Sequence, residues 1–120
     1  MDEIKLKNII ENLIDTFLMA GDLSIKLRNK GLKKEIKSDN TPVSNGDIEV
    51  NKVLTKKILE LTPEIPIVSE ETSHNKSKND LKDFWLIDPI DGTYDYINDK
   101  EEFTLNAGLI LNRKAVAGLI

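Results

Sequence analysis

Two carboxylates, Asp88 and Asp91, stand three residues apart on either side of Pro89. The apolar and aromatic residues 84–87 precede them and predict a short buried strand. Because proline has no N–H and a fixed φ, the strand is predicted to end at this point. Carboxylates at a rigid strand end suit a divalent cation, since Mg²⁺ takes oxygen ligands. The alternative interpretation is that both aspartates are ordinary turn residues.

Gly92 and Thr93 complete this corner of the chain. Glycine adopts backbone angles that other residues resist, and threonine can cap a helix, so a short helix is predicted to begin near Tyr94. Backbone N–H groups at the start of a helix favour anions. The corner therefore predicts a place where a cation and a phosphate group are held together.

Further acidic side chains lie upstream. A second helix is predicted, with Ser44 or Asn45 as its cap, an apolar stripe over residues 48–61 and its end marked by Pro63. Asp47 falls in its first turn, where an acid also complements the helix dipole. Glu70 and Glu71 follow a short predicted strand at residues 66–68, and adjacent acids at a strand end are more often solvated than functional. From the residues alone, these positions stay open between a functional and a structural interpretation.

The remaining pattern predicts the elements that position these residues. Apolar residues at three- and four-residue spacing predict a long amphipathic helix over residues 4–28, which ends by Gly31. A short strand is predicted within residues 32–36. Residues 37–47 are polar and rich in turn formers, which indicates a loop.

The second half of the chain has a polar segment and a predicted hairpin. Residues 73–82 show no helical or strand periodicity, and the lone His74 within them is given no role. The apolar runs 103–111 and 115–120 are joined by a tight turn and predict an antiparallel hairpin.

The composition excludes several classes of function. The chain has 120 residues, a formal net charge of −4 and no cysteine, so thiol chemistry and a basic nucleic-acid footprint are excluded. No apolar run reaches the roughly 20 residues of a membrane span, and no signal-peptide pattern is present. We therefore expect a cytoplasmic protein without membrane insertion or a nucleic-acid polymer as partner.

Four segments together resemble the inositol monophosphatase superfamily of Mg²⁺-dependent, lithium-sensitive phosphatases. They are residues 39–47, 68–71, 85–93 and 102–106. The pattern W-x-x-D-P-[IL]-D-G-T within the third segment is highly specific to that group. The residues after it, including E-F-T-x-N in the last segment, are most similar to the 3′(2′),5′-bisphosphate nucleotidase branch.

The resemblance implies an α+β fold of the layered sugar-phosphatase type. Two N-terminal helices would pack on a largely antiparallel sheet. It also implies that residues 1–120 form the N-terminal part of a single domain, and that a further Asp and most substrate contacts lie in a C-terminal half beyond this sequence.

The resemblance assigns Mg²⁺ ligands. Glu70, Asp88 and the backbone carbonyl of Ile90 would hold one Mg²⁺, and Asp88 with Asp91 would hold a second. Three carboxylates carry a charge of −3, which suits two divalent cations beside a phosphate dianion. Glu71 would either lie behind these ligands or be a further contact of the metal.

The resemblance also assigns catalytic and substrate-binding residues. Asp47 and Thr93 would act together on a water, with Asp47 as proton acceptor and Thr93 relaying or orienting. The backbone N–H groups of Gly92 and Thr93 would hold phosphate oxygens, and Glu70 would also border the substrate.

The implied reaction is hydrolysis of adenosine 3′,5′-bisphosphate to AMP and phosphate, a step of sulfur metabolism. The partner would be a small phosphate ester, and a homodimer is possible. One alternative is an inositol monophosphatase or related sugar phosphatase with the same site. Another is a catalytically silent truncated fragment, or one that acts only as an assembly or cation-binding module.

Overall fold

The computed structural model describes residues 1–69, 71 and 81–120. Its helices are α1 (Glu3–Asn29), α2 (Asn45–Leu61) and α3 (Thr93–Ile97). Its strands are β1 (Lys34–Ile36), β2 (Pro42–Ser44), β3 (Ile67–Ser69), β4 (Phe84–Asp91), β5 (Thr104–Leu111) and β6 (Lys114–Leu119). The predicted α+β class is confirmed. Glu70 falls outside the described residues. So does the polar segment 73–82 with His74, except for its last two residues.

The main sheet has the order β3-β4-β5-β6 and is antiparallel except for the parallel pair of β3 and β4. Alternate residues of its central strands point into the core. Trp85 lies opposite Leu109 and Ile87 opposite Ala107, and all four are buried. α2 packs against β4 and α1 packs against α2, so the two long helices cover this face.

The long helices begin and end at sequence signals. Asp2 caps α1 by accepting a hydrogen bond from the Lys5 N–H at 2.8 Å, and the helix ends just before Gly31, whose φ is +94°. Ser44 caps α2, which ends two residues before Pro63. The predicted C-terminal ends of both helices are confirmed. None of the helices in the described part of the chain combines the length and apolarity needed to cross a membrane.

The loop predicted over residues 37–47 is wrong in its second half. β2 lies there and pairs with β1 in an antiparallel hairpin, and α2 already begins at Asn45. The hairpin turns through Asn40, whose φ is +68°. A three-residue strand beside so many turn-forming residues leaves no periodic signal, because alternation needs a longer run.

The prediction that β4 ends at Pro89 is also wrong, since β4 continues to Asp91. Asp88 lies opposite Asn106 and Asp91 opposite Thr104, so β4 takes three residue steps where β5 takes two. This mismatch is a β-bulge. Proline is tolerated within a bulge because no ladder N–H is needed there. The corner predicted from the sequence is therefore made by a bulge inside a strand.

The predicted C-terminal hairpin is confirmed. β5 and β6 pair antiparallel and are joined at Asn112 and Arg113, whose φ angles are +51° and +64°. Two consecutive positive φ angles are typical of the type I′ turn that matches the twist of adjacent strands.

Candidate metal and phosphate site

Asp47 is a buried carboxylate fixed by the start of α2. The residue is only 1% exposed to solvent. Oδ2 accepts hydrogen bonds from the Ser44 N–H at 2.9 Å and from the Ser44 hydroxyl at 2.6 Å. Ser44 in turn accepts from the Asp47 N–H, so the pair forms a capping box. One oxygen of Asp47 is thus engaged by the helix cap, and Oδ1 is left for a different partner.

That partner is Thr93, the first residue of α3. Its hydroxyl lies 2.8 Å from Asp47 Oδ1 and 3.0 Å from the backbone carbonyl oxygen of Ile90. A hydroxyl has one hydrogen, so it donates to one of these two acceptors at a time. The prediction that Thr93 caps α3 is wrong, because Gly92 is the N-cap residue and makes no side-chain bond. The Thr93 hydroxyl contacts the functional candidate Asp47 instead.

The bulge of β4 presents the candidate metal ligands. Asp91 is exposed, Asp88 is half-buried, and the side chain of Ile90 is buried while its carbonyl oxygen faces the Thr93 hydroxyl. Glu70, the third predicted carboxylate, is outside the described residues. Within the described ranges, no group of three or more acidic, histidine or cysteine side chains is close enough to hold a metal ion.

These groups fit Mg²⁺ by chemistry, because two carboxylates and a carbonyl are hard oxygen donors. A further oxygen belongs to the same region. Asn106 lies directly opposite Asp88 on β5, and its Oδ1 is buried without a hydrogen-bond partner. A buried amide oxygen without a donor is consistent with a place for a cation or a group that accompanies one.

A cleft of about 520 Å³ lies beside Thr93. The β1–β2 hairpin lines one side of it with Lys37, Asp39 and Thr41, and Gly92 and Thr93 line the other. The Thr41 hydroxyl and, to a smaller extent, the Thr41 N–H donate hydrogen bonds to Asp39 and hold its pKa below the usual value. The cleft is therefore walled by groups of both charges next to the candidate catalytic hydroxyl.

Sequence reasoning missed Lys37. Its ammonium group lies 3.4 Å from Glu71 Oε1, which joins the hairpin to the end of β3. A lysine in a polar loop carries no distinguishing signal, so nothing in the pattern pointed to this contact.

Asn51 was also missed, although a signal existed. It follows Asp47 by four residues, so it lies on the same face of α2. Asn51 is buried, and its Oδ1 accepts a 2.6 Å hydrogen bond from the buried Ser69 hydroxyl. This bond ties the end of β3 to α2.

Gly92 is required by its conformation and its surroundings. Its φ is +91°, and a Cβ at this position would lie 2.6 Å from the carbonyl oxygen of Glu102. Both conditions disfavour a larger residue. Gly92 therefore lets the chain turn from β4 into α3 against the segment that leads to β5.

Tyr96 anchors α3 to both long helices. Its hydroxyl donates to the Ser24 carbonyl of α1 at 2.7 Å, and its ring lies where a side chain on Gly46 of α2 would be. The Arg28 guanidinium lies 5.5 Å from the ring centroid. The pKa of Tyr96 is raised to about 12, mainly by burial and also by the Asp47 carboxylate, while Arg28 acts in the opposite direction. One side chain thus ties α3 to α1 and packs it against the start of α2.

Solved structures share this fold. The extragenic suppressor protein suhB of Bartonella henselae superposes with a TM-score of 0.81 at 20% identity, over 92% of this chain and 43% of that protein. An IMPase/NADP phosphatase complexed with Mg²⁺ and phosphate superposes with a TM-score of 0.75 at 24% identity, over 91% of this chain and 42% of that protein. The fold is that of the inositol monophosphatases.

The family follows from the sequence match. The model of the inositol monophosphatase family matches residues 5–120, and the chain belongs to this family. A protein of Aggregatibacter actinomycetemcomitans named 3′(2′),5′-bisphosphate nucleotidase CysQ is 34% identical over 94% of this chain and 43% of its own length. The protein of that name from Haemophilus influenzae is 39% identical over 76% of this chain and 35% of its own length. The chain thus spans less than half the length of these relatives.

Proposed function

We propose that the chain belongs to a Mg²⁺-dependent phosphomonoesterase of the 3′(2′),5′-bisphosphate nucleotidase type, which hydrolyses adenosine 3′,5′-bisphosphate to AMP and phosphate. The names of the CysQ relatives, at 34% and 39% identity, support the substrate. The observation that carries the proposal is the 2.8 Å contact between the Thr93 hydroxyl and Asp47 Oδ1.

This contact supports a role in water activation. Because Ser44 occupies Oδ2 of Asp47, the Thr93 hydroxyl is directed to Oδ1, and its own oxygen keeps lone pairs for a water. A water that donates to the Thr93 oxygen is oriented by it. Asp47 then accepts the proton by way of the hydroxyl, as a general base.

The proposed cation ligands are the Asp88 and Asp91 carboxylates, the Ile90 carbonyl and Glu70. Mg²⁺ held there would supply electrostatic stabilisation of the attacking and leaving oxygens of the phosphate ester. A carbonyl oxygen engaged by a cation accepts less readily from the Thr93 hydroxyl. We therefore expect loading of the site to favour the hydrogen bond from Thr93 to Asp47 over the one to Ile90.

The proposed phosphate contacts are the backbone N–H groups of Gly92 and Thr93, with Glu70 beside the substrate. The support for this assignment is the cleft that Gly92 and Thr93 line together with Lys37. The Lys37 ammonium, which pairs with Glu71 at 3.4 Å, would also complement the negative charge of a phosphate ester.

The test is phosphate release from adenosine 3′,5′-bisphosphate and from inositol 1-phosphate, with Mg²⁺ and with a chelator. It compares the 120-residue chain with a chimera in which the unmatched part of the Aggregatibacter relative follows residue 120. Mg²⁺-dependent hydrolysis of the nucleotide by the chimera is the expected result. Preference for inositol 1-phosphate would reverse the substrate assignment, and a chimera inactive on both would support a silent chain.

The control is the chimera with Asp47→Asn, which keeps the shape of the side chain and removes the base. Turnover equal to that of the unmodified chimera would contradict the role of Asp47.

A further inference from the structure

Asn106 belongs to the E-F-T-x-N pattern, to which the proposed reaction assigns no task. It lies in register with Asp88 on the neighbouring antiparallel strand. Directly opposite residues of such a pair project from the same face of the sheet, within contact distance of one another. The Asn106 side chain is thus next to a proposed ligand of the cation.

The amide oxygen of Asn106 is in an unusual state. Oδ1 is buried and has no hydrogen-bond partner. Buried polar atoms in proteins nearly always have a partner, so an atom without one calls for an explanation. The only other such atom among the described residues, Arg28 Nε, lies 3.4 Å from the Asp99 carboxylate and so has a counter-charge.

The neighbouring carboxylate does not satisfy this oxygen. An ionised carboxylate accepts hydrogen bonds and donates none, and the amide oxygen is also an acceptor. The Asn106 oxygen therefore needs a donor or a cation that the Asp88 carboxylate does not supply. Mg²⁺ usually keeps several waters, and each water presents hydrogens outward.

We infer that Asn106 is an additional residue of the cation site, whose Oδ1 accepts a hydrogen bond from the hydration shell of the cation that Asp88 binds. This inference rests on the proposed function, since it requires a cation at Asp88. The asparagine of the E-F-T-x-N pattern then has a role in binding the cation, in addition to its packing between the strands.

The experiment is a titration of the full 120-residue chain with Mn²⁺, followed by the electron paramagnetic resonance signal of the free ion, with Mg²⁺ as competitor. Asn106→Leu keeps much of the volume and removes the oxygen, and about 10-fold weaker binding is expected. Asn106→Asp keeps an oxygen and adds charge, so tighter binding is expected. Asn8→Asp adds the same charge at an exposed position of α1 and should leave binding unchanged.

A second readout separates this role from a structural one. Without cation, the urea midpoint of Asn106→Leu should equal or exceed that of the wild-type chain, because the substitution removes a buried atom without a partner. A residue that only supports the fold would lower the midpoint when replaced.

Wild-type affinity in Asn106→Leu, or weaker binding in Asn106→Asp, would overturn the inference and leave the proposed metal site intact. The second variant decides the matter even if the leucine variant does not fold. Failure of the wild-type chain to bind Mn²⁺ would overturn the proposed metal site and this inference together.

Discussion

The hydroxyl of Thr93 donates to Oδ1 of Asp47 at 2.8 Å, across 46 residues of chain. This bond joins the first turn of α2 to the first residue of α3. It places a buried carboxylate next to the bulge of β4, which carries the candidate ligands Asp88, Ile90 and Asp91. The chemistry of the site therefore depends on how these two elements meet.

Loss of this bond should be measurable in the stability of the chain. Thr93→Val keeps the shape of the side chain and leaves Oδ1 of a buried carboxylate without its donor. We expect the free energy of unfolding to fall by about 1–3 kcal/mol. Urea unfolding followed by circular dichroism measures this, and Thr93→Ser, which retains the hydroxyl, is the matched control. An unchanged midpoint in the valine variant would show that Asp47 finds another donor.

Asp91→Asn tests the metal site without disturbing the fold. The side chain is exposed, so an isosteric neutral replacement should change the urea midpoint little. Loss of one negative charge should weaken Mn²⁺ binding, since carboxylates are the main ligands of hard cations. Asp95→Asn, in α3 and outside the proposed ligands, controls for net charge. Equal weakening by both variants would mean that the effect is general electrostatics.

Motif resemblance named Asp47, Asp88, Asp91 and Thr93 as candidate site residues, and helix signals placed the C-terminal ends of α1 and α2. The contacts that join these elements were not predicted. The bulge at Pro89 escaped prediction because it depends on pairing with β5, a partner distant in sequence. Local reasoning has access only to propensity, and tertiary pairing overrides propensity.

The same limit explains Thr93. A threonine at the predicted start of a helix is a good cap by local chemistry, but α3 begins one residue earlier than predicted, so Gly92 takes the N-cap position and Thr93 lies inside the helix. Its hydroxyl donates to a carboxylate on another helix instead. The packing of Tyr96 into the space above Gly46 is likewise a complementarity between two distant residues. No sequence pattern at either residue predicts that the two are in contact.

Trp85 should be a major contributor to stability. Its side chain is fully buried, and its indole N–H donates to the buried Thr62 hydroxyl at 3.0 Å. Trp85→Ala should lower the free energy of unfolding by roughly 3–5 kcal/mol, through lost burial and the cavity that remains. Leu86→Ala, at the next position of the strand, should cost much less because Leu86 is 40% exposed. Urea unfolding of both variants checks this, and equal costs would contradict the core assignment.

Alanine substitutions at two glycines with nearly the same φ distinguish backbone strain from steric overlap. Gly31 and Gly92 have φ angles of +94° and +91°, but a Cβ on Gly31 would meet nothing within 4 Å. Gly31→Ala should therefore cost only the left-handed conformation, about 1–2 kcal/mol. Gly92→Ala should cost that amount and also the overlap with the Glu102 carbonyl, about 1–3 kcal/mol more. Equal urea midpoints for the two variants would mean that the segment at Glu102 moves aside.

The raised pKa of Tyr96 predicts that the folded chain loses stability at alkaline pH. Its pKa is raised from about 10 to about 12 in the folded chain, with burial as the main cause. The folded state therefore keeps the phenol proton between these values while the unfolded state releases it. Since the folded state then binds more protons, the free energy of unfolding should decrease as the pH rises from about 10 towards 12.

The measurement is urea unfolding at pH 9 and pH 11 for the wild-type chain, Tyr96→Phe and Tyr94→Phe. Tyr96→Phe should be less stable at pH 9, because it loses the hydrogen bond to Ser24, and should show a smaller decrease on going to pH 11. Tyr94 is 67% exposed, so its replacement should leave the wild-type pH dependence in place. If the Tyr96 variant loses as much stability in alkali as the wild-type chain, the decrease comes from other groups and not from the phenol of Tyr96.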